Sequence, residues 1–354
     1  MIMNTDIIAT CACLLSSLPV FGVNVVESVE RGNIPFRVHV FEDYETEIEK
    51  RWWLRGEPIE KRLPPSLSPS VPNKRAFRST ETKDFDRKMG DQTKTYRAVI
   101  FNPVPGPPMA GNTRLSFRCR LLEASTLRCQ IYSLSKGYHR HLALNNLPQG
   151  KWQELTVDMT KARRPDGSGG PLAKDERIDD IQFYVEDGAE VSVDNVVLYE
   201  PARKGEKEPF PMRFIFTGWF DTGKQGEGHE WPGDFDIVLH EKPLTWDTAK
   251  AVLDAKTGTP MIRVNMRGSR PLSTSSRLRF RYNTSSKEIR VGIRNAVSNK
   301  GWEQVVKVSK QGVWQDAMVD FELSAGSHAT DVIFRVTKGK SLLVDDLLLY
   351  EPSK

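Results

Sequence analysis

Short runs in which apolar and polar residues alternate recur along the whole chain, separated by Gly, Pro, Asn and Ser. Such period-two stretches predict half-buried β-strands, and no long amphipathic helical pattern competes with them. Phe36 to Phe41 opens the series, followed by Tyr96 to Phe101, Leu115 to Arg118, Leu127 to Leu134 and Ile181 to Val185. A second series follows in the same order: Met212 to Phe216, Met261 to Met266, Leu278 to Arg281, Ile289 to Ala296 and Val332 to Val336. The pattern predicts an all-β chain of two tandem β-sandwich domains.

Two motifs tie the series together. Gly150, Trp152, Gln153, Val157 and Asp158 return as Gly312, Trp314, Gln315, Val319 and Asp320, and Val193-Asp194-Asn195 to Pro201 returns as Val344-Asp345-Asp346 to Pro352. A repeat this long is two copies of one fold rather than a solenoid. It predicts a first domain over 23–201, a charged linker over 202–210 and a second domain over 211–354. A chain of 354 residues suits two domains of about 150 residues, each able to close its own core.

Some segments break the pattern. Pro64 to Pro72 and Pro103 to Pro108 are too poor in backbone donors for central strands, and Lys161 to Pro171 is an insertion that the second copy lacks. Cys119 and Cys129 flank Glu123 to Ser125, which reads as a three-residue hairpin loop setting the two thiols opposite each other. A cross-strand disulfide and a pair of buried thiols are both open; the second copy has Tyr282 and Val291 there.

Composition adds a few exclusions. No apolar run approaches the roughly 20 residues of a membrane-spanning helix. Ile7 to Leu15 followed by Ser16 to Gly22 reads as a secretory signal peptide over 1–22, with Val20 and Gly22 at the positions before cleavage. Asp6 and the lack of Lys or Arg depart from the usual start, so a misplaced first residue or a buried first strand is the other reading. Export implies a periplasmic, cell-surface or extracellular location. The net charge of +5 is small and scattered, and no nucleic-acid-binding module is present.

A strand ending in Val-Asp-Asp or Val-Asp-Asn, an aliphatic run after it and Gly-x-Trp-Gln upstream resemble the jelly-roll carbohydrate-binding modules of the galactose-binding-like superfamily. Both copies carry the pattern. Phe41-Glu42 matches the pair usual near the start of such modules, whereas the second copy reads Thr217-Gly218. The resemblance implies a jelly-roll fold and a polysaccharide or glycan partner. It also implies a structural Ca2+ held by Asp194 with Glu42, Asp43 or Glu45 in the first copy, and by Asp345 with Asp221 in the second. A capping hydrogen bond between each Asp and nearby turn amides, the carboxylate accepting, is the alternative.

Sugar recognition calls for flat aromatic faces and a few polar groups. Tyr138 and Trp302 follow Gly at equivalent turns, where each can project over an open face. Trp52 and Trp53 in one copy and His229 and Trp231 in the other form loop clusters of their own. Tyr138, His139 and His141 are the candidates for acid–base chemistry, since a Tyr and His pair can move a proton in polysaccharide lysis. Three functions are therefore on the table: a secreted, non-catalytic glycan-binding protein, a polysaccharide lyase or glycoside hydrolase acting through the first domain, and a cell-surface structural or adhesion protein.

Overall fold

A computed structural model describes residues 25–45, 54–103, 106–174, 176–221, 231–238 and 247–353. The signal segment, Trp52, Trp53 and His229 lie outside the described residues. Every described strand pairing is antiparallel apart from isolated bridges, and four sheets result, two built from residues 37–200 and two from residues 213–351. The two halves are all-β sandwiches of matching strand order.

In the first half, one sheet runs Gln153–Asp158, Arg114–Leu122, Glu190–Glu200, with Ala76–Arg78 and Arg37–Glu42 both on the far edge of Glu190–Glu200. The facing sheet runs Tyr138–Asn145, Thr126–Ser133, Glu176–Glu186, Tyr96–Phe101. The second half repeats this as Gln315–Glu322, Ser275–Thr284, Leu342–Glu351 with Arg213–Gly218, facing Lys300–Lys307, Glu288–Asn295, His328–Arg335, Pro260–Pro271. Alternate residues of facing sheets meet in one core per half, with Phe117 and Phe183 in the first and Phe280 and Phe334 in the second.

The Val-Asp-Asx motif is a piece of backbone engineering. The ladder between Glu190–Glu200 and Arg114–Leu122 slips between Asp194 and Val197, and the equivalent ladder slips between Arg279 and Arg281, opposite Leu348 and Asp345. Asn195 and Asp346 sit there at φ 51° and 50°. Asn and Asp tolerate the left-handed region better than other residues with a Cβ, which accounts for the residue types at this bulge. In each copy the preceding Asp accepts the N–H of that residue at 2.8 Å, the turn-amide alternative of the sequence reading.

One expected pairing is absent. Arg114–Leu122 and Thr126–Ser133 belong to opposite sheets, so Glu123 to Ser125, with Glu123 at φ 58°, crosses the sandwich rather than closing a hairpin. Cys119 and Cys129 are free thiols pointing into the core, and burial pushes the Cys119 thiol up to about 12.

The halves also pack on each other. Val38, Phe41, Val197 and Tyr199 of the first half close over Phe214, Leu348 and Tyr350 of the second, with Phe210 between them, and all are buried. Arg37–Glu42 is therefore buried along its whole length, because one side faces its own core and the other faces the second half.

Candidate functional site

Arg277, Arg279 and Arg281 alternate with Leu278, Phe280 and Tyr282 along Ser275–Thr284. The apolar set fills the core, so the arginines stand together on the outer face. They line a cleft of about 450 Å³ between the halves, with Phe36 from the first half, Arg203, Glu206 and Glu208 from the connecting segment, and Asp316 and Met318 from Gln315–Glu322.

Ion pairs hold the walls. Arg277 contacts Asp320 at 2.6 Å and Glu208 at 3.0 Å, and Glu208 also accepts the Tyr350 hydroxyl at 2.6 Å. Arg279 donates to the carbonyls of Pro35 and Phe36 at 2.6 and 2.8 Å, which docks the segment leading into the first strand. Arg281 and Arg203 both reach Asp316 at 3.3 Å. The Arg203 guanidinium lies 4.2 Å from the centre of the Phe36 ring, and Met318 is 57% exposed. Four arginines thus face four carboxylates, Glu206, Glu208, Asp316 and Asp346, with Phe36 and Met318 among the apolar side chains between them.

The equivalent place in the first half is closed. Ser116 stands where the second half has Arg279, Leu67 lies over the face, and Arg118 donates to the Pro65 carbonyl at 2.7 Å. The Pro-rich loop fills what the second half leaves open, and only about 20 Å³ remains.

The residues singled out from the sequence lie elsewhere. Trp302 is opposite Ile293 and packs against the core of the second half rather than over an open face. Trp231 is buried, edge-on to Trp219 at 4.8 Å. Tyr138 lies between the guanidinium groups of Arg140 and Arg164 at 5.2 and 5.0 Å and donates to the Gly169 carbonyl at 2.9 Å. The glycine-rich insertion therefore covers this ring, and a Cβ on Gly169 would lie 2.8 Å from the Tyr138 hydroxyl.

His139 and His141 point to the other side of the strand from Tyr138, so strand alternation separates the three proposed catalytic groups. Both imidazoles are buried beneath the segment 83–92 and face the Asp86 carboxylate at 3.9 and 3.5 Å. Burial lowers both, His139 to about 4, while Asp86 is held at about 2, its own burial outweighed by the histidines and the amides of Lys88 and Met89. A neutral pair locked under a folded segment has no access to a substrate. The segment is held by Asp84 on Arg128 at 2.7 Å and by the Tyr184 hydroxyl, which accepts the N–H of Phe85. It covers the outer face of that sheet.

The corresponding face of the second half carries Arg263 paired with Asp234 and Asp331 at 2.7 and 2.9 Å, and Arg290 with Glu303 at 3.2 Å. These residues are salt-bridged, Asp331 buried and the others wholly or partly exposed, and no described ring lies among them.

The carboxylates expected around calcium are already engaged by other groups. In the first half Glu42 accepts the N–H of Tyr44, Asp43 that of Glu45, and Glu45 those of Lys74 and Arg75. Asp194 accepts from Asn73 at 2.7 Å, and burial pushes its carboxyl up to about 8. In the second half Asp221, Asp345 and Asp346 surround the Arg37 guanidinium. Among the described residues no three His, Cys, Asp or Glu side chains form a metal site. The donor set among the described residues does not fit a resident calcium ion.

No family model and no curated protein matches this chain in sequence. Among solved structures, the tandem CBM22-1–CBM22-2 domain of Paenibacillus barcinonensis Xyn10C is similar at 11% identity over 92% of this chain and 100% of that one, with a TM-score of 0.32. The family 11 carbohydrate-binding module of the cellulosomal cellulase Lic26A-Cel5E of Clostridium thermocellum is 17% identical over 50% of this chain and all of its own, also at 0.32. TmCBM61, solved with β-1,4-galactotriose, is 11% identical over 34% of this chain and 86% of its own, at 0.24. Likeness of this degree carries no argument about a ligand.

Proposed function

We propose that this chain is a non-catalytic, exported glycan-binding protein whose ligand site is the cleft between the halves. The observation that carries the reading is the wall chemistry of that cleft: guanidinium donors and carboxylate acceptors in balance around Phe36 and Met318. A saccharide presents vicinal hydroxyls, each both donor and acceptor, and an apolar C–H face. Paired Arg and carboxylate groups can each take a hydroxyl without being left unpaired, and their balance of charge favours a neutral sugar over an anionic one.

Against an enzymatic reading stands the separation of Tyr138 from His139 and His141 and the burial of the imidazoles. Export follows from the leader-like segment over 1–22 and belongs to the same proposal.

The test is retention of the full chain on immobilised neutral, acidic and sulfated polysaccharides, with product analysis of the same incubations. Retention on a neutral glycan that weakens in Arg203→Ala but not in Tyr138→Ala or Trp302→Ala, with no new reducing or unsaturated ends, is expected. Release of fragments would make the chain an enzyme, and absence of retention on all matrices would remove the binding reading.

A further inference from the structure

Three buried carboxylates meet in the second half, one of them, Asp346, also at the wall of the cleft. Asp221 lies just beyond Arg213–Gly218, and Asp345 and Asp346 lie at the bulge of Leu342–Glu351; all three are buried. Like charges gathered away from water are untenable without a cation or protons. The cation comes from the other half of the chain. Arg37, only 1% exposed at its side chain, places Nη1 2.6 Å from Asp221 Oδ2, where it donates a hydrogen bond, and Nε 2.6 Å from Asp346 Oδ1. Its Nη2 lies 3.7 Å from Asp345 Oδ2. Burial alone would lower this guanidinium, yet the three carboxylates raise it above its ordinary value.

The equivalent residue shows what is particular here. Arg213 occupies the position of Arg37 in its own first strand, but it reaches Asp43 only at 4.0 Å and Glu351 at 3.8 Å, and burial lowers it. The first half has Asn195 where the second has Asp346, and Glu45, the counterpart of Asp221, is turned to the amides of Lys74 and Arg75. Arginine exchange between the copies is therefore lopsided, tight in one direction and loose in the other.

We infer that Arg37 is the resident cation of the Asp221–Asp345–Asp346 pocket, a side chain of one half standing where the second half would otherwise need a divalent ion. A planar guanidinium offers five donors in a fixed fork, enough to serve several carboxylates from within one plane. Two consequences follow. The halves are stapled without metal, and the pocket is a latent divalent-cation site that opens when Arg37 is removed. The staple also reaches the cleft, because Asp346 turns its other oxygen to Arg281 at 3.6 Å, and Arg281 holds Asp316.

Thermal melting of the full chain, native and Arg37→Met, in chelator and in millimolar CaCl2 tests this. Native protein is expected to melt at the same temperature in both. Arg37→Met is expected to lose about 10 °C in chelator, and Ca2+ to restore about half of that loss by entering the vacated carboxylates. A triple variant, Arg37→Met with Asp221→Asn and Asp346→Asn, keeps the test decisive if the single variant fails to fold; it is expected to fold and to ignore Ca2+. The inference is overturned if native and Arg37→Met respond alike to Ca2+, if Arg37→Met melts with the native protein, or if the triple variant is no more stable than the single.

Discussion

Burial dominates the chemistry of Asp194. Its carboxyl lies wholly inside the strand Glu190–Glu200, with one hydrogen bond from Asn73 and one from the next amide, and desolvation raises it from the ordinary carboxylate range to about 8. A raised folded-state value means that the folded chain binds the proton more tightly than the unfolded one. Its stabilising contribution is complete below the unfolded value of 3.8 and is lost as pH rises through 8. Asp194→Asn removes this titration and keeps an acceptor oxygen for the Asn195 N–H, with Asn73 turning its amide oxygen to the new NH2. Relative to the native chain, the variant is expected to gain on the order of a few kcal/mol between pH 4.5 and 8.5, read as a rising difference in melting temperature. Parallel curves would mean that Asp194 is ionised throughout. The motif around it was visible in the sequence, and its backbone meaning was not: Val-Asp-Asx marks a bulge with a left-handed residue, and sequence spacing does not show φ.

At the level of elements, the period-two runs located strands well. The expected Tyr96 to Phe101 strand is Tyr96–Phe101 in the structure, and Leu127 to Leu134 is Thr126–Ser133. Alternation shows which side chains share a face but not which sheet a strand joins, so it sets Cys119 and Cys129 on one ladder although they belong to two. The same limit hid the segment 83–92, whose apolar Phe85 and paired Asp84 and Asp86 seal the outer face that an aromatic sugar platform would need. Gly90 is the tight point of that segment. A Cβ there would fall 2.4 Å from Asp84 Cγ and 2.6 Å from the Asp86 carbonyl, neither of which can retreat without breaking the Arg128 pair or the turn. Gly90→Ala is expected to destabilise the chain by about 1–3 kcal/mol and to raise amide exchange over 83–92. Unchanged exchange there would show that the segment is not clamped as described.

Across the whole molecule, the repeat explains the two sandwiches and the differences between the copies explain the cleft. Ser275–Thr284 announces three outward arginines in the alternation Arg277, Arg279, Arg281, and that signal was present in the sequence. What could not be read there is that Phe36, Arg203 and Met318, far apart along the chain, come to the same opening once the halves pack through Phe41, Phe210, Phe214 and Leu348. Buried apolar surface and the Arg37 staple hold that packing, so the cleft is preformed, and a preformed site binds without a separate ordering step. The most direct measurement is calorimetric titration of the full chain with an oligosaccharide of the neutral glycan that retains it, comparing native protein with Arg203→Ala and Met318→Asp. The account predicts saturable binding in the native chain at one site per chain, weakened at least tenfold in both variants at unchanged melting temperature. Binding of equal strength in all three proteins would contradict it and place the ligand elsewhere.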